Sequence, residues 1–243
     1  AHFIHYPRNK NSLSNNTVLS ICEDPGKPGE ILWIGTYSGL NLFDRKRNHF
    51  THFRHDPLNP YSISNDSVNF LFPDGDDGLW VATRNGLNLM DPKTSRFTSF
   101  RHDPGNPRSI SANGVGPICR ANKDRLWVGT DQGLNLLDKK NKIFKNFNHA
   151  PGNLNILSTA NILCLRQQSV DKEEVLWVGT YNYGLIKYNT VDKKIRHFIP
   201  DPQNPNSSGS VSSSNIRSIH IDNSGILWLG TDGGLNRFDP HRE

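Results

Sequence analysis

The chain has 243 residues, 34% of them apolar, with 20 glycines, 15 prolines and a net charge of +5. That composition supplies a real core, and no apolar run reaches the length of a membrane helix, so neither a disordered segment nor a helical span fits. Its 28 Lys and Arg residues are scattered rather than massed, and nucleic acid is not an expected partner.

The opening "AHFIHYPRNK" lacks an apolar leader core and reads as a mature chain or an excised piece. Phe3 lies 18 residues before Ile21, the interval that also separates Phe53, Phe100 and Phe147 from Leu71, Ile118 and Leu165. Residues 1–6 are therefore expected to act as the outer strand of a blade whose other strands lie at the far end of the chain. "TVLSICE" follows with strand alternation, then "ILWIGT", then "GLNLFD", then "HFTHFRH". The same four segments recur, and Trp33, Trp80, Trp127, Trp177 and Trp228 stand 47, 47, 50 and 51 residues apart. No segment holds apolar residues at helical spacing over ten or more positions, so helix content near zero is expected. A repeat of this length with four short strands builds a four-stranded propeller blade, and the chain reads as an all-β, roughly five-bladed β-propeller. It is closed by the N-terminal strand or is a segment of a longer array. One domain, 1–243, is expected, with blades near 18–55, 66–102, 113–149, 160–199 and 214–243 plus 1–6.

Each Trp is read as filling space between neighbouring sheets. Gly39, Gly86, Gly133, Gly184 and Gly234 follow a Thr in "T-x-x-G" (with one extra residue in the fourth unit) and serve a tight hairpin that needs positive φ. Because these glycines lead into a strand and not into a helix, a phosphate-binding loop is excluded as the reading. The long connections "HDPLNPYSISNDS" (55–67), "HDPGNPRSISANG" (102–114), "HAPGNLNILSTAN" (149–161) and "PDPQNPNSSGSVSSSN" (200–215) join each outer strand to the next inner one. Their Asp-Pro, Asn-Pro and Ser/Asn elements set turns and satisfy loop N–H groups. His55/Asp56 and His102/Asp103 recur at symmetric places and lapse at His149/Ala150 and Pro200/Asp201, so they are read as loop structure and not as acid–base pairs. The Asp-led Lys/Arg turns at 44–50, 91–97, 138–144 and 191–195 read as solvated hairpins. Cys22, Cys119 and Cys164 lack metal-ligand spacing and read as small apolar residues. No cofactor or metal is expected.

"LWIGTYSGLNLFD" together with "FRHDPLNPYSISNDSV", repeated along the chain, resembles the two-component regulator propeller repeat. The resemblance implies a sensor region on the periplasmic or extracellular side of a bacterial membrane protein, commonly a hybrid histidine kinase. It implies a ligand such as a carbohydrate, and transmembrane and kinase regions that would lie outside these 243 residues. Signalling through altered packing or dimer geometry makes a homodimer an expected assembly.

Where the repeats differ, function is expected. The hairpin after each second strand varies at Tyr37 and Ser38, Arg84 and Asn85, Asp131 and Gln132, Tyr181, Asn182 and Tyr183, and Asp232 and Gly233. Tyrosines suit stacking on a sugar face, and Arg, Asp and amides suit hydrogen bonds to hydroxyls. Tyr181 and Tyr183 lead the candidates, since the fourth unit departs most, and Arg217 and Asn69 on inner strands are expected to face a central channel. A free-standing lectin and a propeller glycosidase or lyase are the competing functions. The first calls for five equivalent pockets and the second for a carboxylate pair, which the unlike hairpins do not offer. A non-enzymatic ligand-binding module is the favoured reading.

Overall fold

The computed structural model describes residues 1–147, 155–170, 173–204, 207 and 209–242. Two compact units divide the chain, Ala1–Ile118 and Cys119–Glu243. In the first, β1 (Val18–Glu23), β2 (Ile31–Thr36), β3 (Gly39–Asp44) and β4 (His49–Phe53) form one antiparallel sheet in chain order. The next sheet is β5 (Val68–Pro73), β6 (Leu79–Thr83), β7 (Gly86–Met90) and β8 (Phe97–Phe100). The strand β9 (Val115–Arg120) carries the chain into the second unit, where β10 (Arg125–Thr130), β11 (Gly133–Asp138) and β12 (Ile143–Asn146) continue its sheet. A fourth sheet holds β13 (Ile162–Val170), β14 (Glu173–Thr180), β15 (Leu185–Asn189) and β16 (Ile195–Phe198). The fifth holds β17 (Ile216–Ile221), β18 (Leu227–Thr231) and β19 (Gly234–Phe238). These are the five blades of a β-propeller, as the repeat predicts.

Two local expectations are corrected. Residues 1–6 form no strand, and the fifth sheet has three strands among the described residues. The Phe3 ring instead packs in the first unit, 4.8 Å from Phe43 and 5.8 Å from Phe50 between centroids. It occupies the place that Phe53 takes against Phe97, at 5.9 Å, one blade later. The 18-residue interval thus placed the ring against the following blade, while the strand pairing did not form. Helix content is close to zero, as expected, and among the described residues comprises α1 (Asn155–Thr159) and a 3-10 turn at Gly75–Asp77. One turn of helix falls below any periodicity window, and it occupies the positions that Tyr61–Asn65 hold in the first long connection. His149 and Ala150 lie outside the described residues.

Three of the second-strand tryptophans, Trp33, Trp127 and Trp177, sit in seams between blades. Trp33 and Leu40 pack with Val68, Leu71, Met90 and Phe97 of the following blade. In the second unit Trp127 and Leu134 pack with Ile162, Leu165 and Tyr188, and Trp177 and Leu185 with Ile216, Ile219 and Phe238. An acceptor at the start of the β1–β2 type connection caps the indole N–H in four blades. Trp33, Trp80 and Trp228 donate to Asp24, Asp74 and Asp222 at 2.9, 3.1 and 2.9 Å, and Trp177 donates to the Gln168 amide oxygen at 2.9 Å. In the third blade Ala121 holds the Asp position, with the same backbone bond from its N–H to Arg125. The buried Trp127 Nε1 has no hydrogen-bond partner among the described residues.

The three cysteines are free thiols, and burial raises all three pKa values, pushing Cys22 and Cys164 up to about 12. They behave as the apolar residues the sequence suggests. Among the described residues no group of His, Cys, Asp and Glu could hold a metal ion.

Candidate functional site

The hairpins after the second strands open on the same side as the long connections, because each hairpin glycine N–H is bonded to the connection that follows. Gly39 donates to Asp66 at 2.7 Å and Gly86 to Asn113 at 2.8 Å in the first unit. Gly133 donates to Ala160 at 2.9 Å and Gly184 to Ser214 at 2.7 Å in the second. The glycines have φ of +114°, +117°, +99° and +72°, and Gly234 has +115°. A side chain at Gly39 would in addition place its Cβ 2.6 Å from the Phe53 carbonyl oxygen. Only glycine meets both demands.

Beneath the tips of the first, second and fifth blades lies a polar network that the sequence reading passed over as loop chemistry. Ser14 N–H donates to Asn41 Oδ1 at 2.9 Å, Asn41 Nδ2 donates to Ser14 Oγ at 2.8 Å, and the Ser14 and Thr36 hydroxyls are 2.8 Å apart. Ser64, Asn88 and Thr83 repeat this in the second blade, while in the fifth the Ser212 N–H and hydroxyl both donate to Asn236 Oδ1, at 3.0 and 2.9 Å, with the Thr231 hydroxyl 2.8 Å from that of Ser212. All members of the first two sets are buried and satisfied, so the "S…T…GLN" letters hold loop to hairpin. The fourth blade has Ile186 where its sisters have Asn, and Ile186 is buried among apolar neighbours. The loop histidines are equally structural: His5, His55 and His102 place Nδ1 2.7–2.8 Å from the carbonyls of Leu13, Ile63 and Ile110.

What varies is presented at the tips. In the first unit the Arg84 guanidinium lies 5.4 Å from the centre of the exposed Tyr37 ring. Ser38 and Asn85 have backbone N–H groups donating to Thr36 and Thr83 hydroxyls, and Asn15 Nδ2 donates to the Ser38 hydroxyl. In the second unit Tyr181, Arg217, Asp232 and Asn215 come together. Arg217 donates Nε and Nη2 to the two oxygens of Asp232 at 2.7 and 2.8 Å, and its guanidinium stands 5.8 Å from the Tyr181 ring centre. Asn215 Nδ2 donates to Asp232 at 2.8 Å, while Asn215 Oδ1 accepts the Asn182 N–H at 2.7 Å. Arg217 and then Asn215 hold the Asp232 carboxyl down at about 2. Asn182 has φ of +70°, which accommodates the extra residue of this hairpin, and the Tyr183 carbonyl is in contact with His197 Nε2. Tyr181 and Tyr183 are both exposed.

Asp131 and Gln132 form the tip of the third blade. Desolvation raises the Asp131 pKa, opposed by its own backbone N–H, and Gln132 N–H donates to Thr130. Neither side chain joins the cluster around Arg217 among the bonds of the described residues. Asn69 departs from its expected role, because its amide donates to the Val115 carbonyl at 2.9 Å. It ties one inner strand to the next and is not free for a ligand. The sequence reading also missed a groove of about 900 Å³ between the first two blades, lined by Lys27, Trp33, Arg47, His49, Gly78 and Lys93 among others. It opens on the side of the β1–β2 and β3–β4 connections. Its signal was present: the capping Asp and Trp are nine residues apart in the first blade but six in the second and fifth.

Comparisons with known proteins then decide what the repeat is. Residues 210–233 match the family model described as two component regulator propeller. The matched stretch lies in the fifth blade, and the other four blades share its recurring letters. The extracellular domain of the hybrid two-component system BT3049 from B. thetaiotaomicron has the same fold with a TM-score of 0.76 and 25% identity. The match covers 100% of this chain and 31% of that one. That of BT4673 from the same organism gives 0.74 and 21%, over 96% and 28%. PorZ, a surface component of the type-IX secretion system of Porphyromonas gingivalis, gives 0.67 and 20%, over 96% and 34%. Histidine kinase P4 of Formosa agariphila is 33% identical over 66 residues, which are 27% of this chain and 5% of the kinase. This chain therefore spans about a third or less of these similar proteins. No helix among the described residues is long and apolar enough to cross a membrane.

Proposed function

We propose that this propeller is the ligand-binding sensor module of a bacterial two-component receptor and that it takes a carbohydrate or another small polar molecule at its hairpin tips. One observation carries the reading. Hairpins whose glycine, threonine and network residues repeat differ at their tips, and each unit there exposes a tyrosine beneath a guanidinium, Arg84 over Tyr37 and Arg217 over Tyr181. An exposed ring flanked by a fixed polar array is the surface that stacks a sugar face and bonds its hydroxyls. The likeness to extracellular domains of hybrid two-component systems supports a location outside the cytoplasm and coupling to a kinase elsewhere in the polypeptide. The reading is non-enzymatic: of the two carboxylates among the varying tip residues, Asp232 is clamped by Arg217 and Asn215 and is a poor proton donor at neutral pH, and Asp131 belongs to a different hairpin outside that cluster. A thermal-shift screen against neutral and acidic oligosaccharides tests it. Stabilisation by a subset, lost in Tyr181→Ala, is expected, and no response to any sugar counts against the carbohydrate assignment.

A further inference from the structure

The groove between the first two sheets lies wholly in the first unit, away from the hairpin tips, and its chemistry differs from theirs. One wall is a face of the first sheet, where the register sets Leu42 between Trp33 and Thr51, and Asp44 between Ile31 and His49. The other wall is the facing side of the second sheet, where Leu79 stands between Pro73 and Met90. A volume of about 900 Å³ is in the range that takes up a small organic molecule.

Met90 marks where this seam departs from those of the second unit. There the third strand of the following blade sets a ring against the seam Trp: Tyr188 stands 6.0 Å from Trp127 and Phe238 stands 5.7 Å from Trp177, between centroids. Met90 holds the same place in the repeat, "NLMD" beside "IKYN" and "NRFD", and it packs with Ile31 and Trp33. A flexible thioether thus replaces a ring, and a thioether beside an indole is a surface that favours an aromatic guest.

The rim is an independent feature, and it is cationic. The longer β1–β2 connection of the first blade carries Lys27 on a bonded turn, its N–H donating to the Asp24 carbonyl at 3.1 Å and its carbonyl accepting the Ile31 N–H at 3.2 Å. Lys93 is planted on the second blade by its N–H bond to the Asp91 carboxylate at 2.8 Å. The two carboxylates that line the groove are engaged from within. Asp24 accepts the Gly26 N–H and Trp33 Nε1, both at 2.9 Å, and Asp44 accepts the Arg47 N–H at 2.9 Å and Arg47 Nη1 at 3.1 Å. Arg47 is thereby paired, whereas Lys27 and Lys93 are exposed and pair with no carboxylate among the described residues.

We infer that this groove binds an aromatic carboxylate, with its ring on the floor formed by Trp33, the half-buried Leu42 and Met90 and its carboxylate held by the Lys27 and Lys93 ammonium groups. The ring supplies what Tyr188 and Phe238 supply in the sister seams, and the anion completes two cations that lack a partner. This site is separate from the hairpin tips and does not rest on the carbohydrate reading.

Ligand-observed NMR titration of the chain with naphthoate, naphthamide and octanoate tests this. Saturable naphthoate binding is expected, with naphthamide and octanoate each markedly weaker, since one lacks the charge and the other the ring. The double variant Lys27→Glu/Lys93→Glu is expected to weaken naphthoate by about tenfold or more, with an unchanged circular dichroism spectrum because both side chains are exposed. Met90→Phe restores the ring of the sister seams and is expected to exclude naphthoate. Absence of saturable naphthoate binding overturns the inference. So does affinity unchanged in the double lysine variant, or octanoate or naphthamide binding as tightly as naphthoate.

Discussion

Ala121→Asp is expected to stabilise this protein, and the reason lies in one missing bond. Four indoles are capped by acceptors at 2.9–3.1 Å, whereas Trp127, buried in its seam, has none among the described residues. Ala121 occupies the backbone position of Asp24, Asp74 and Asp222: its N–H bonds to Arg125 as theirs bond to Ile31, Gly78 and Ile226. A hydrogen bond to a charged acceptor contributes about 1.5–3 kcal/mol, and partial burial of the new carboxylate offsets some of it, leaving about 1–2 kcal/mol. For a chain of this size that is about 2–4 °C of melting temperature per kcal/mol. Urea or thermal unfolding of Ala121→Asp beside wild type measures it. A matched pair of truncations isolates the same bond. Trp80→Phe loses ring area and an indole bond to the buried Asp74, while Trp127→Phe loses the area alone and removes an unpaired donor. Trp127→Phe is therefore expected to be the milder by about 1–3 kcal/mol. Destabilisation by Ala121→Asp, together with equal costs for the two Phe variants, would refute the reasoning.

Three further outcomes follow from the geometry. Gly39 and Gly234 share φ near +115°, but a Cβ at Gly39 meets a carbonyl at 2.6 Å and one at Gly234 meets nothing within 4 Å. Gly39→Ala should then cost about 1–3 kcal/mol more than Gly234→Ala in chemical denaturation, and equal costs would place the whole penalty in the dihedral. Asn88→Ala removes bonds to Ser64 and Val81 and strands buried groups on both, for an expected loss of about 2–4 kcal/mol; a loss below about 1 would deny the network a structural role. Arg217 and Asn215 depress the Asp232 pKa from 3.8 to about 2. The carboxylate's contribution is thus complete above the unfolded value and lost as pH falls toward 2. Carbon-detected NMR titration should place the midpoint near 2, and Arg217→Gln should return it toward 3.8; an unmoved midpoint would mean Arg217 is not the cause.

Much of the fold was legible because the repeat states each rule five times. The hairpin glycines, the seam tryptophans and the strand order all follow from letters that recur, and a turn requiring positive φ has few sequence solutions. Spacing fixed where Phe3 falls in the repeat, and its ring does take the equivalent of Phe53's place, against Phe43 and Phe50; strand pairing is a separate backbone requirement that spacing alone does not meet, and residues 1–6 form no strand. The short helix α1 was invisible because a single turn has no periodicity to detect. At the candidate site, sequence variation located the tips but not their connections. That Arg217 on an inner strand reaches Asp232 and Tyr181 on two different hairpins is a matter of three-dimensional placement, and Asn69 looked free because its acceptor, Val115, lies 46 residues away. The buried Ser-Asn-Thr set was visible as recurrent letters, but polar letters in a turn-rich chain suggest solvent before they suggest a satisfied core.

The central claim is that scaffold repeats carry the fold while the hairpin tips carry recognition. Calorimetric titration of the oligosaccharide that most stabilises the wild type, repeated on Tyr181→Ala and on His102→Ala, tests it most directly. His102 is held in the loop scaffold by its bond to the Ile110 carbonyl. The account predicts that binding is lost or weakened at least tenfold in Tyr181→Ala, about 1.4 kcal/mol or more, and retained in folded His102→Ala. Affinity unchanged by Tyr181→Ala would contradict it.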